Sequence, residues 1–308
     1  MYVSTSERQP FSDGTPASVE IKSILYGNSF QSLTRSINSI RNAAEFAVRE
    51  KLCSSVGLSY GDNSPTAMLD DGAVSELQGQ MPFTYRHFGD NLGSAGGHNA
   101  LSLDSEADFL LIVNPDIVLS PRAIIDLLVP FRYAGVGMTE AKQIPIEHPK
   151  DYNRDTGETS WAATACAMVP RALFQEMEGF DAETFFLYCD DVDFSWRVRE
   201  KGLRVMFRPT VPVFHDKRLS RDAGWIASQA ERYYSAEAAL LLAHKWSRPD
   251  LVDKHIQDFV RSNIAELHRA AAEFRKREKE GRLPEPRDAE HAVGQFVDDR
   301  YAVHRFSL

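Results

Sequence analysis

Phe109-Leu110-Leu111-Ile112-Val113-Asn114-Pro115-Asp116 is an unbroken apolar run that stops on a polar turn. An apolar run this short, with no alternation, reads as a strand buried on both faces, the setting of a parallel sheet. Downstream, Ser120-Pro121 starts a helix with Pro at its first position. Upstream, Ile21 to Tyr26 reads as a first strand ending at Gly27-Asn28, with Ser29 or Ser32 capping a helix that runs to about Glu50. Residues 51–58 form a second, weaker strand, followed by the polar turn Ser59-Tyr60-Gly61-Asp62-Asn63-Ser64-Pro65. Phe83 to Phe88 is a third strand, and Leu92 to Leu103 a glycine-rich loop entering a helix. Alternation of this kind up to about residue 130 predicts an α/β fold with a mostly parallel central sheet flanked by helices.

Residues 131–220 read as less regular, with Leu203 to Phe214 as a strand before His215. The last third reads as helical. Ile256, Phe259, Val260, Ile264, Leu267, Ala271 and Phe274 recur at helical spacing, with Asp250 as an N-cap and Gly281 and Pro284 as a stop. The predicted organisation is a flexible arm over 1–18, an α/β domain over 19–222 and a C-terminal helical region over 223–308.

The 308 residues carry a net charge of -9 and 43% apolar residues. An acidic chain is a poor general binder of nucleic acid, so none is expected as a partner. Any phosphorylated ligand must meet local cations or a metal. Cys53, Cys166 and Cys189 form no Cys-x-x-Cys pair, which suits a reducing cytoplasm. No secretory signal opens the sequence, and runs such as 109–113 and 238–243 are too short to span a bilayer. The expected location is cytoplasmic, with peripheral contact at the inner face of the membrane left open.

Ligands of open α/β sheets bind at the carboxyl ends of the strands, where Gly27-Asn28, Asp62-Asn63-Ser64 and Asn114-Pro115-Asp116 all fall. Asp62 reads as either an Asx turn or an acceptor for a ligand's ring nitrogen or hydroxyl. Asp116 is placed to hold a hard divalent cation, Mn²⁺ or Mg²⁺, together with substrate phosphates. His215, followed by Asp216, Lys217, Arg218 and Arg221, is placed to meet a diphosphate or its metal. In Gly179-Phe180-Asp181-Ala182-Glu183-Thr184-Phe185-Phe186-Leu187-Tyr188-Cys189-Asp190-Asp191-Val192-Asp193, three carboxylates crowd together just before a helix-like run. Such crowding favours a basic carboxylate able to take a proton from a hydroxyl. Asp193 and Arg197, four apart, read as an ion pair on that helix.

In this order the segments resemble glycosyltransferase family 2, inverting enzymes of the GT-A fold, from about residue 21 to 220. Asp62-Asn63-Ser64 is similar to that family's base-contacting Asp-Asn-Ser turn. Asn91, Gly93, Gly96 and Asn99 are similar to its Asn-x-Gly-x-x-Gly-x-x-Asn segment. Asn114-Pro115-Asp116 stands where the family has Asp-x-Asp. Gly179-Phe180-Asp181, Phe186, Tyr188, Asp190, Asp191, Asp193 and Arg197 follow its acidic signature.

The resemblance implies a hexosyltransferase that moves a sugar from a nucleotide diphosphate sugar to a hydroxyl of a glycan or lipid-linked glycan acceptor, as in polysaccharide biosynthesis. It implies Asp191 as the general base and Asp116 with His215 as metal ligands. Tyr26, Asn28, Asp62, Asn91, Gly96, Asn99, Asn114, Lys217 and Arg218 would bind the donor. Trp161, Thr164 and Asp190 would lie on the acceptor side, with Trp161 either stacking on a sugar or filling the core. Asn114 replaces the first Asp of Asp-x-Asp, a form similar to rhamnosyltransferase-like members, which points to a dTDP- or UDP-linked donor. Asp190 replaces the usual Glu.

A non-catalytic nucleotide-sugar-binding protein of the same fold is the alternative, and Asn114 is what sustains it. A nucleotidyltransferase is disfavoured, since no Gly-rich, Lys-containing loop follows the first strand. The C-terminal helices suggest packing on the catalytic domain or a homo-oligomer.

Overall fold

β1 (Ala17–Leu25), β2 (Cys53–Asp62), β3 (Phe83–His87) and β4 (Phe109–Val113) lie in the order β3-β2-β1-β4, all parallel. The computed structural model describes residues 14–147, 150–216 and 227–302. Lys217 and Arg218 lie outside the described residues. The crossovers are α1 (Phe30–Arg49), α2 (Asp71–Gln78) and α3 (Gly93–Ser102). Leu33, Ile37, Ile40, Ala43, Ala44 and Ala47 recur at helical spacing along α1 and are buried against the sheet. Asp70 caps α2, its Oδ1 accepting the Ala73 N–H at 2.8 Å. All five residues of β4 are buried, as an unbroken apolar run requires.

Two boundaries differ from the sequence reading. β1 begins at Ala17, inside the segment read as an arm. Residues 59–62, read as a turn, continue β2, because β1 and β3 flank it and complete its hydrogen bonding on both sides. The turn itself starts at Asn63.

Beyond β4 come β5 (Ile117–Leu119), α4 (Ala123–Leu128), β6 (Val136–Ile144), β7 (Glu158–Thr159), β8 (Cys166–Pro170), α5 (Arg171–Glu176), α6 (Asp190–Glu200) and β9 (Arg204–His215). They extend the sheet in the order β4-β8-β6-β9-β5, with β7 on β9. This half is mixed: β8 is antiparallel to β4 and β6, β5 to β9, while β6 and β9 are parallel. The region read as less regular thus supplies the strands and helices of this half of the sheet, with irregular connections such as 177–189 between them. β6 hid in the sequence because Gly137, Thr139 and Glu140 interrupt its apolar pattern. Glu140 is tolerated there because Lys150 Nζ lies 2.5 Å from Oε2, with both side chains buried. Burial pushes the Glu140 carboxyl up, to about 8.

The C-terminal region holds α7 (Gln229–Lys245), α8 (Pro249–Arg261) and α9 (Ala265–Lys279). A Ser228–Glu231 capping box starts α7. The single periodic stretch seen in the sequence is two helices, broken at Ser262–Ile264. Asp250 is no N-cap: it lies inside α8, where Arg248 holds its carboxylate at 2.8 and 2.7 Å. These helices share an apolar core with α6. Trp196 meets Trp246 edge-on at 5.0 Å, and Trp161, Phe185 and Cys189 belong to the same cluster. Among the described residues no helix is long and apolar enough to cross a membrane.

Candidate active site

The tips of β1, β2 and β3 are tied into one rim. The Gly27 N–H donates to Ser64 Oγ at 3.0 Å, and His87 Nε2 lies 2.7 Å from the Ser64 carbonyl. Asn28 Oδ1 accepts the Tyr26 N–H at 3.0 Å, leaving the Tyr26 ring 59% exposed at the rim. Asp62 is fully buried beneath it. Its Oδ1 accepts the Ser64 N–H at 2.8 Å, and its Oδ2 accepts the Met68 N–H at 2.8 Å and the Tyr85 hydroxyl at 2.5 Å. Burial alone would raise this carboxyl, but the donors from Ser64, Tyr85 and Met68 outweigh it and hold it below the ordinary Asp value. Asp62 thus shapes the turn over 63–68 from inside.

The glycine-rich segment is a joint. Gly93, at φ +72°, starts α3, and the Ser94 N–H donates to the Phe186 carbonyl at 2.9 Å. A Cβ at Gly93 would stand 2.7 Å from Phe186 Cδ2, so only glycine lets the helix start this close. Asn91 Oδ1 accepts the Gly93 N–H at 3.1 Å. Asn99 donates its amide to the Phe180 carbonyl at 2.7 Å and accepts the Phe180 N–H at 2.9 Å. Both ends of the Asn99 amide are spent on protein. It clips α3 to the acidic segment. Gly96 packs beside Ala182 in the same joint.

The three carboxylates that crowd in sequence part company in space. Asp190 and Asp191 open α6 and are buried at its N-terminus, where the helix dipole favours them. Asp193, one turn in, is a core ion: Arg197 Nε lies 2.8 Å from Oδ2 and Lys245 Nζ 2.7 Å from Oδ1. The expected Asp193–Arg197 pair is present, and it removes Asp193 from the site. Before α6, Tyr188 and Cys189 both take left-handed backbone, φ 70° and 58°, a strained state for residues with side chains.

Asp116 and His215 meet at the far edge. β5 pairs with β9 so that Ile117 faces His215, and the Asp216 N–H donates to the Asp116 carbonyl at 3.0 Å. This puts His215 Nε2 3.2 Å from Asp116 Oδ1. On the other side His215 Nδ1 lies 2.7 Å from Gln143 Oε1, an acceptor, which places the ring proton on Nδ1. With Nδ1 donating to Gln143, Nε2 can turn its lone pair toward a cation shared with the Asp116 carboxylate. An imidazole nitrogen beside a carboxylate is a donor set that suits Mn²⁺ and, through oxygen, Mg²⁺. No cluster of three or more His, Cys, Asp or Glu exists among the described residues. The remaining ligands of a metal here would have to come from substrate and water.

One short segment joins the two motifs. The Asn114 N–H donates to the Ala165 carbonyl at 2.9 Å. The Ala162 N–H donates to Ser195 Oγ at 3.0 Å, and Ser195 Oγ donates to the Asp191 carbonyl at 2.7 Å. Residues 162–165 therefore bond to the turn before Asp116 at one end and to Ser195 of α6 at the other, and Ser195 in turn bonds the Asp191 backbone carbonyl. Thr164 lies buried within this segment. Trp161, just before it, is 1% exposed, with Lys150 Nζ 4.0 Å from its ring centre and Tyr301 edge-on at 6.0 Å. Trp161 fills the core and gives no stacking face to a sugar. Gln143, Lys150 and Lys245 escaped the sequence reading. Gln143 and Lys245 act through His215 and Asp181, 72 and 64 residues away, and Lys150 reaches back 10 residues to Glu140, so no helix or strand spacing marks them.

No family model matches the sequence. A 57-residue stretch is 35% identical to an N-acetylglucosaminyl-diphospho-decaprenol L-rhamnosyltransferase of Mycobacterium tuberculosis, covering 18% of each chain. A 181-residue stretch is 22% identical to the low-salt glycan biosynthesis hexosyltransferase Agl10 of Haloferax volcanii, covering 49% of this chain and 58% of that one. The chain thus matches under two thirds of either relative's length.

Among solved structures, the mannosyltransferase PcManGT of Pyrobaculum calidifontis, in complex with GDP-Man and Mn²⁺, is similar with a TM-score of 0.55. It is 15% identical, over 92% of this chain and 77% of that one. GalNAc-T7 with UDP, GalNAc and Mn²⁺ is similar with a TM-score of 0.60 and 12% identity, over 86% of this chain and 55% of that one. The fold is that of the GT-A glycosyltransferases. The relatives found by sequence are glycosyltransferases as well, in keeping with the resemblance carried by the motifs.

Proposed function

We propose that the chain is an inverting glycosyltransferase that moves a hexose or deoxyhexose from a uridine or deoxythymidine diphosphate sugar to an acceptor hydroxyl. The observation that carries this reading is the hydrogen-bonded path from Asn114 through 162–165 to Asp191. It brings the backbone of Asp191, at a helix N-terminus, into one neighbourhood with the Asp116 turn. In this reading the Asp191 carboxylate would face the Asp116–His215 pair across the sugar. In a single displacement the acceptor oxygen attacks the anomeric carbon while its proton passes to Asp191, and the bond from that carbon to the diphosphate oxygen breaks on the opposite face. The rim of Tyr26, Asn28 and the turn shaped by Asp62 is where the nucleotide would rest.

Asp116 and His215 would hold a divalent ion. Its chemistry would be to neutralise the charge that builds on the departing diphosphate. Gln143 keeps the His215 ring turned toward Asp116. The Mn²⁺ in the two solved relatives supports the choice of metal.

The test is release of nucleoside diphosphate from a panel of UDP- and dTDP-sugars, with and without saccharide acceptors. Product with inverted anomeric configuration supports the reading, and retained configuration rejects it. Binding of UDP or dTDP without any release would favour a non-catalytic binding protein.

A further inference from the structure

One side chain of the C-terminal helices straps together both ends of the segment that carries Asp191. Lys245, in the last turn of α7, has Nζ 2.7 Å from Asp181 Oδ2 and 2.7 Å from Asp193 Oδ1, with its side chain 8% exposed. The same ammonium lies 5.5 Å from the ring centre of Phe185, midway along the segment. The next residue, Trp246, donates Nε1–H to Asp193 Oδ1 at 3.1 Å. On its other oxygen Asp193 already has Arg197, which also donates to the Met177 and Gly179 carbonyls at 3.0 and 2.8 Å. The charge of Lys245 is therefore what balances Asp181. That carboxyl would be raised by burial, but the bonds from Lys245 and Thr184 hold it low.

The strap brackets the strained turn. Tyr188 and Cys189 hold left-handed backbone immediately before α6, and such conformations persist only where the surroundings over-determine them. With both ends of 181–193 pinned to one ammonium, the turn cannot relax by drawing the start of α6 outward.

We infer that Lys245 is a positioning residue for the Asp191 carboxylate, so that α7 is part of the transfer site and not an appendage to it. This rests on the reading of Asp191 as the base. Lys245 touches no reacting atom. It acts by fixing where α6 begins.

The test uses the full chain with Lys245→Met and Lys245→Arg. Removing a buried cation can unfold a protein outright, so Asp181→Asn is the second variant. It releases the strap at its more exposed end and leaves Asp193 both of its cations. Nucleoside diphosphate release is measured from the UDP- or dTDP-sugar that the wild-type chain turns over. Displacing a catalytic group by an ångström costs on the order of a hundredfold. Lys245→Met is expected to lower kcat by about that factor, and Asp181→Asn by about tenfold, with KM for the donor changed less than about twofold. Lys245→Arg is expected to restore most of kcat.

A folded variant with unchanged kcat, or with KM rising as far as kcat falls, overturns the inference. Amide hydrogen exchange separates it from the assignment of function. Should the wild type release no nucleoside diphosphate at all, the proposed function fails, and exchange alone decides on the strap. Exchange about tenfold faster in 181–193 of Asp181→Asn, with β1 and β4 unaltered, supports it. Unaltered exchange in that segment refutes it.

Discussion

Asp116 Oδ1 stands 3.2 Å from His215 Nε2, across the antiparallel pair of β5 and β9. Nothing local in the sequence joins these residues. The pairing of two strands does, and Gln143 on the neighbouring β6 fixes which nitrogen of the ring faces the carboxylate.

The first prediction concerns this pair. Partners that orient a metal-bound histidine typically contribute ten- to a hundredfold to metal affinity. Gln143→Leu should weaken Mn²⁺ binding by about that factor, measured by electron paramagnetic resonance with UDP present. EDTA should abolish nucleoside diphosphate release, and added Mn²⁺ should restore it. Full activity in chelator would remove the metal from Asp116.

Asp191→Asn keeps the shape of the α6 N-terminus and removes the base. Loss of a general base costs at least about a hundredfold. Turnover should fall by that much or more while calorimetric affinity for UDP or dTDP stays within about twofold. Near-normal turnover would take Asp191 out of the role.

Gly93 and Gly96 make a matched pair. Alanine at Gly93 would need left-handed backbone and would press its Cβ against Phe186, whereas at Gly96 the nearest atom is Leu92 Cβ at 3.3 Å. Gly93→Ala should cost about 2–4 kcal/mol in denaturant melts, combining strained φ with overpacking. Gly96→Ala should stay within about 1 kcal/mol, because helix propensity offsets the tighter contact. Equal costs would mean that the joint between α3 and Phe186 is not as described.

Stability should have an acid limb. Asp62 and Asp181 are both held below the ordinary carboxylate value when folded. Each contributes stability that is full above its unfolded value, about 3.9, and that is lost as pH falls through the lower folded value. Melting temperature should therefore drop below about pH 4, and Asp181→Asn should make that drop shallower. Glu140 works in the opposite sense. Its carboxyl is pushed up to about 8, so its ionisation costs the folded state increasingly as pH rises from about 4.5 toward that value. Glu140→Gln should flatten the decline on the alkaline side. An unchanged profile in both variants would refute these assignments.

The sequence alone determined the parallel half of the sheet and the order of its polar tips. Apolar runs such as Phe109–Val113 and the turns that end them are local features, legible without a partner. It also placed the Asp193–Arg197 pair, because helical periodicity brings residues four apart together. Tertiary structure decided what each polar group spends its charge on. Asp193 looked like a member of one acidic cluster and is a core ion held by Lys245. Asn99, expected at the donor, is bonded to Phe180, and of the two readings left open for Trp161, a sugar platform or a core residue, burial beside Lys150 selects the core. The mixed half of the sheet stayed hidden because β6 draws its stability from β8 and β9, which lie far away in the chain. Pattern and spacing report which face a residue takes, while the partner it finds there depends on distant segments folding back upon it.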